Sequence, residues 1–117
     1  MGDGSHFGVR RPLRFLRHKL DLDDKQVAEL ARILDELKTE RAQAAVDDRR
    51  ARGELAAAIG GDSFDKEKAA SATERRAQAA KQLEQKVLDA LEQIHGLLDS
   101  DQREVLSYLL RTGALSI

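Results

Sequence analysis

The chain has 117 residues, 41% hydrophobic and 35% charged, with a formal net charge of -1, no cysteine and 3% aromatic residues. This composition fits one soluble helical domain and excludes disulfides, thiolate metal sites and a global field that would gather nucleic acid or an anionic membrane, while leaving room for local patches. No segment approaches the roughly 18 apolar residues of a membrane span, and the heavy use of alanine predicts a thin core completed by a partner subunit.

Residues 1–11 open the chain as a flexible tail, because the glycine-rich stretch from Met1 to Val9, which holds His6 and Phe7, neither caps nor propagates a helix. One domain is expected over residues 12–117. Pro12 suits a first helical position, and Leu13, Leu16 and Leu20 follow at the spacing of a one-sided stripe, predicting a short helix from Pro12 to Leu20. Its other faces carry Arg10, Arg11, Arg14, Arg17, His18 and Lys19. They read either as the solvated face of a docking helix or as a patch for a membrane surface or nucleic acid.

Asp23 followed three residues later by Gln26 is a capping box, and it starts a long helix over Asp24 to Ile59. At 1.5 Å per residue this helix spans about 54 Å, more than the width of a compact domain of this length, so an elongated protein is expected. Val27, Leu30, Leu34 and Leu37 form its apolar stripe, which continues in phase through Arg41, Ala44, Asp48, Ala51, Leu55 and Ala58. Gly60 and Gly61 end it.

Ser63 or Asp65 caps a second long helix over Asp65 to His95, closed before Gly96. A turn this short returns the helices as an antiparallel hairpin in which Ile59 faces Asp65. The register sets Leu30, Leu34 and Leu37 opposite Ile94, Ala90 and Val87, and Ala44 and Ala45 opposite Ala80 and Ala79. The hairpin is therefore expected to be thick at its open end, where Leu13, Leu16 and Leu20 dock, and narrow at an alanine waist. Asp99 and Gln102 repeat the capping box and begin a fourth helix with an apolar face of Val105, Leu106, Leu109 and Leu110 and a stop at Gly113.

Two copies of a Leu-Asp-x-x-Gln motif thus flank the hairpin, Leu22-Asp23-Asp24-Lys25-Gln26 and Leu98-Asp99-Ser100-Asp101-Gln102, with Asp-Ser-Phe-Asp-Lys at 62–66 between them. Over residues 12–112 the chain resembles the Spy/CpxP family of envelope-stress and metal-resistance proteins, which includes CnrX and ZraP types and carries Leu-Thr-x-x-Gln motifs. Asp replaces Thr in both copies and keeps the cap chemistry. The resemblance implies an all-α homodimer shaped as an elongated cradle, built from a long antiparallel hairpin with a short N-terminal and a short C-terminal helix. It also implies a periplasmic, non-enzymatic protein. Relatives act as ATP-independent chaperones, as adaptors that restrain a sensor kinase, or as metal sensors. The polar opening Met1 to Ser5 is read as the point where a signal peptide or membrane anchor has been cut away, so membrane association rests on a segment absent from this chain.

Three histidines, no cysteine and no phosphate-binding loop leave little for catalysis. Acidic side chains are expected in surface pairs, Asp48 with Arg52 and Asp47 with Arg50. His18 and His95 lie near the two motifs and, with His6 from the tail, are the candidate ligands for a divalent transition metal such as zinc, nickel or copper. Metal-sensing relatives place a histidine pair four apart before the first motif and a His with a Met four residues on before the second. The matching positions here are Arg14 and His18, then Ala90 and Ile94. No cofactor is required.

Lys38, Arg41, Arg49 and Arg52 recur along the long helix, with Arg75 and Arg76 near them on the returning one, and together they are the candidate surface for unfolded or envelope-protein clients or a sensor protein. Nucleic acid is disfavoured, because acids interrupt the stripe and no stacking aromatics accompany it. The function expected is a dimeric envelope-stress chaperone or signalling adaptor, with a periplasmic heavy-metal sensor or resistance protein and a cytoplasmic helical adaptor as alternatives.

Overall fold

The N-terminal helix α1 spans Arg10–Leu20 and starts two residues before the expected Pro12. Proline is accommodated because its missing N–H falls among the first four donors, which have no partner inside a helix. These positions come from a computed structural model that describes residues 10–117, so the expected tail and His6 lie outside the described residues except for Arg10 and Arg11, which are helical. α1 stops at Asp21, whose φ of 53° is left-handed. The chain reverses there, and the Leu22 N–H donates to the Arg17 carbonyl at 3.1 Å, a bond that closes the helix end and turns Leu22 inward.

Helix α2 covers Asp24–Gly60 and α3 covers Lys66–Leu97. The two long helices pack against each other as the antiparallel hairpin read from the sequence. Asp65, rather than Ser63, caps α3: its Oδ1 accepts the Lys68 N–H at 3.0 Å. α3 runs through Gly96, where a stop was expected. One glycine costs about 1 kcal/mol of helix propensity, less than the next two residues gain by turning inward, since Leu97 is half-buried and Leu98 buried. α4 spans Ser100–Thr112. Gly113, at φ 79°, ends it and donates to the Leu110 carbonyl at 3.3 Å.

The chain divides into two compact units, one formed by residues up to Lys38 together with Val87–Ile117, the other by Thr39–Lys86. In the first unit, α1 packs against α4. Its core gathers Leu16, Leu20, Leu22, Leu30, Ile33, Leu37, Ala90, Ile94, Leu98 and Leu109. Ile33 enters this core although it lies outside the expected stripe, whose Leu34 is only half-buried. A helix that meets more than one neighbour needs an apolar arc wider than a single seam. In the second unit the buried side chains among the described residues are Ala51, Ala58 and Ala72. Such small side chains remove little apolar area from water. The waist expected at Ala44 and Ala45 against Ala80 and Ala79 is not where the burial falls: Ala44 and Ala79 are half-buried, while Ala45 and Ala80, turned about 100° from them on their helices, are exposed. The hairpin register holds within each unit, with Arg32 donating to Gln93 at 3.0 Å in the first and Arg76 paired with Asp48 at 3.0 Å in the second.

The two units are expected to respond oppositely to changes in side-chain size. Leu30→Ala should lower unfolding free energy by about 2–5 kcal/mol through lost contact and a residual cavity. Ala72→Leu should cost about 1–3 kcal/mol by overpacking. Leu88→Ala, at a position 59% exposed, should change stability by less than about 0.5 kcal/mol. Urea denaturation of the three variants measures the differences, and an unchanged midpoint for Leu30→Ala would contradict the core assignment.

Candidate functional site

Both motifs form complete capping boxes. At the start of α2 the Gln26 N–H donates to Asp23 Oδ1 at 2.8 Å, and the Asp23 N–H donates back to Gln26 Oε1 at 3.1 Å. At the start of α4 the Gln102 N–H donates to Asp99 Oδ1 at 2.9 Å, and the Asp99 N–H to Gln102 Oε1 at 3.0 Å. Leu22 and Leu98, which open the motifs, are both buried.

The fold then brings the two glutamines together. Gln26 Nε2 donates to Gln102 Oε1 at 2.8 Å, and Gln102 Nε2 donates to Gln26 Oε1 at 3.1 Å, a reciprocal amide pair. The second proton on each nitrogen goes to a helix end beside the other motif. Gln26 Nε2 reaches the Leu97 carbonyl of α3 at 3.0 Å, and Gln102 Nε2 reaches the Leu20 carbonyl of α1 at 3.2 Å. Each glutamine therefore caps its own helix start, holds its counterpart and closes the helix that precedes the counterpart's motif. Arg103 adds to the same junction by donating from Nε to the His95 carbonyl at 2.9 Å. The equal spacing of the two glutamines is visible in the sequence, but a local capping box carries no signal that the two side chains meet.

Beside Gln26 lies an open groove of about 550 Å³ whose walls include Lys25, Glu29, Arg32, Gln93 and Leu97. Arg32 is held there by Glu29 at 3.0 Å and Glu36 at 2.8 Å. The hydrogen bond and charge of Glu29, seconded by Glu36, raise the guanidinium pKa above its ordinary value.

In the second unit Arg41, Arg49, Arg52, Arg75 and Arg76 are all exposed, while Lys38 is an exposed member of the first unit. Asp48 takes both Arg52, at 3.2 Å, and Arg76, at 3.0 Å, and the Arg75 guanidinium meets the Glu54 carboxylate. The expected Asp48–Arg52 pair is present. Asp47 accepts instead from Gln43 at 3.2 Å rather than pairing with Arg50. Arg41 and Arg49 have no ion pair among the described residues. Residues 41, 45, 49, 52, 56 and 59 step by three and four, so Arg41, Ala45, Arg49, Arg52, Ala56 and Ile59 share one face of α2, and all six are exposed. Guanidinium and apolar groups are interspersed along that face.

His18 and His95 are both exposed, and among the described residues no three His, Cys, Asp or Glu side chains converge as a metal-binding group. At the positions that match the ligands of metal-sensing relatives, Ala90 and Ile94 are core residues, 4% and 5% exposed, with no donor atom. The residues present do not fit that ligand set. Zinc or nickel at micromolar concentration is expected to leave the melting temperature unchanged. A saturable rise abolished by His18→Ala or His95→Ala would establish a site of different composition.

For the amide pair, Gln26→Ala and Gln102→Ala are each expected to cost about 1–3 kcal/mol, because each leaves a helix-end carbonyl and half of the other amide unpaired. The double variant should fall short of the sum by about 0.5–3 kcal/mol, the coupling of groups in one network. Additive losses in a denaturation cycle would show that the glutamines act independently.

The model of the LTXXQ motif family matches residues 9–110, a span that contains both capping boxes and the whole hairpin. No curated protein and no solved structure matches the chain significantly. Within that span the two Leu-Asp-x-x-Gln copies build the paired junction, with Asp23 and Asp99 standing where the motif has threonine. The chain belongs to the LTXXQ motif family, which includes the Spy/CpxP-type proteins.

Proposed function

We infer that this protein is an ATP-independent chaperone of the cell envelope that binds non-native or partner chains along the second unit. The observation that carries this reading is the exposed face of α2 on which Arg41, Ala45, Arg49, Arg52, Ala56 and Ile59 intersperse charge with apolar surface. Such a face holds unfolded segments without shape specificity: the guanidinium groups meet carboxylates and backbone carbonyls, and the methyl groups meet apolar side chains. Ile59 and Phe64, 75% and 61% exposed around the hairpin turn, extend the apolar component. The family is helical and non-enzymatic, which supports a binding role over catalysis. It is generally extracytoplasmic, and no helix among the described residues is long and apolar enough to cross a membrane, in keeping with a periplasmic placement.

The active form in this reading is a homodimer. A unit that buries only alanines gains little from its own core, and a second copy covering about 800 Å² per partner supplies what a specific interface needs. Sedimentation should give a dimer at micromolar concentration, and a monomer throughout that range would exclude the dimeric form.

Client binding is expected to be broad, weak and sensitive to salt, since screening shortens from about 10 Å at 0.1 M to about 3 Å at 1 M. Arg41→Glu, Arg49→Glu and Arg52→Glu together should reduce suppression of client aggregation while helicity stays intact. Failure of the unaltered protein to suppress aggregation of several unrelated clients at low salt would remove the chaperone reading and leave the signalling adaptor.

A further inference from the structure

Helix α1 is the most unevenly charged element of the chain. It holds five of the twenty Lys and Arg residues, Arg10, Arg11, Arg14, Arg17 and Lys19, and none of the twenty-one Asp and Glu, so the rest of the chain carries fifteen cations against twenty-one anions. The helix is anchored by one edge: Leu16 and Leu20 are buried and Leu13 is half-buried. At 3.6 residues per turn these three occupy a narrow arc, and Arg10, Arg14, Arg17, His18 and Lys19, all exposed, fill the remainder. Arg17 is tied to Asp24 at 2.8 Å, whereas Arg10 and Arg14 have no ion pair among the described residues. Lys19 lies over the ring of the half-buried Phe15, 5.8 Å from its centroid.

We propose that the solvent face of α1 is a docking face for an anionic phospholipid surface, and this does not rest on the chaperone reading. Charge complementarity selects an anionic occupant. The form of the face selects a membrane: long flexible cations spread over the convex outside of one helix suit a wide, laterally mobile sheet of phosphates. A defined acidic segment is held instead by fixed donors in a groove. Phe15 with its flanking Arg14 and Lys19 adds the aromatic and cationic pairing that settles at the headgroup level. Leu16 and Leu20 stay in the protein core, so the contact is peripheral, reversible and mainly electrostatic. The rest of the first unit, residues 21–38 and 87–117, holds five Lys and Arg against eleven Asp and Glu, so it is repelled by the same surface and the contact of that unit is confined to α1.

The test is co-sedimentation of the full chain with phosphatidylcholine vesicles with and without phosphatidylglycerol. Binding is expected only with phosphatidylglycerol, and raising salt from about 0.1 M to about 1 M should abolish it. Each cation near an anionic leaflet multiplies partitioning by about fivefold, so Arg10→Gln, Arg14→Gln and Lys19→Gln together should weaken it by about 100-fold. Arg10→Lys with Arg14→Lys should keep it. Arg50→Gln with Lys81→Gln, which removes two exposed cations from the second unit outside the face assigned to clients, should also leave it unchanged. Circular dichroism melting of each variant separates loss of binding from loss of fold; if the glutamine variant melts early, the salt and lipid comparisons on the unaltered chain decide. Equal binding to neutral vesicles, full binding by a folded glutamine variant, or tighter binding to poly-glutamate or an oligonucleotide than to phosphatidylglycerol vesicles would overturn the proposal.

Discussion

The reciprocal amide pair of Gln26 and Gln102 is the constraint on which the first unit depends. Four helix ends meet around it: the starts of α2 and α4 and the ends of α1 and α3. Each end carries backbone groups that its own helix cannot satisfy, and burying them without partners is unfavourable. A glutamine amide offers two donors and one acceptor oxygen with two lone pairs, enough to serve its own cap, the opposite amide and a distant carbonyl at once. Glutamate at either position would keep the acceptors and remove both donors. The family motif is in this sense a joint, and its two copies are useful only as a pair.

The two units solve different problems with the same pair of long helices. The first has bulky aliphatic residues and a polar joint, and it fixes where α1 and α4 sit. The second buries only alanines among its described residues and carries surface pairs such as Asp48 with Arg52 and Arg76. Exposed pairs of this kind contribute about 0–1 kcal/mol each. They order side chains more than they stabilise the fold. The second unit commits little of its surface to its own interior and leaves a basic and apolar face of α2 exposed.

Glycine at 53 and 96 shows how context overrides local preference. Both lie inside helices, and nothing comes within 4 Å of a methyl group added at either position, so neither is required by packing. Their cost is small against the apolar residues that follow in phase. Gly113 differs, since its positive φ closes α4.

The four helices of the described residues, the hairpin register and both capping boxes were legible in the sequence, because each depends on contacts within a few residues or on a spacing that a short turn fixes. That the second unit would be poor in bulky core was legible too, but not that Ala51, Ala58 and Ala72 would be the alanines it buries. Leu13, Leu16 and Leu20 announced α1 as a docking helix, and Asp23 and Asp99 announced their caps. The sequence could not say that Ile33 would be buried and Leu34 only half-buried, since that depends on how many neighbours a helix meets. Nor could it show that Asp48 would gather two arginines from different helices, or that Arg41 and Arg49 would lack an ion pair among the described residues. Two glutamines 76 residues apart read only as two local caps. Tertiary structure alone decided that they would complete each other, because a side-chain amide has donors left over after capping, and where those donors go is set by which helix ends the folded chain brings within hydrogen-bond reach.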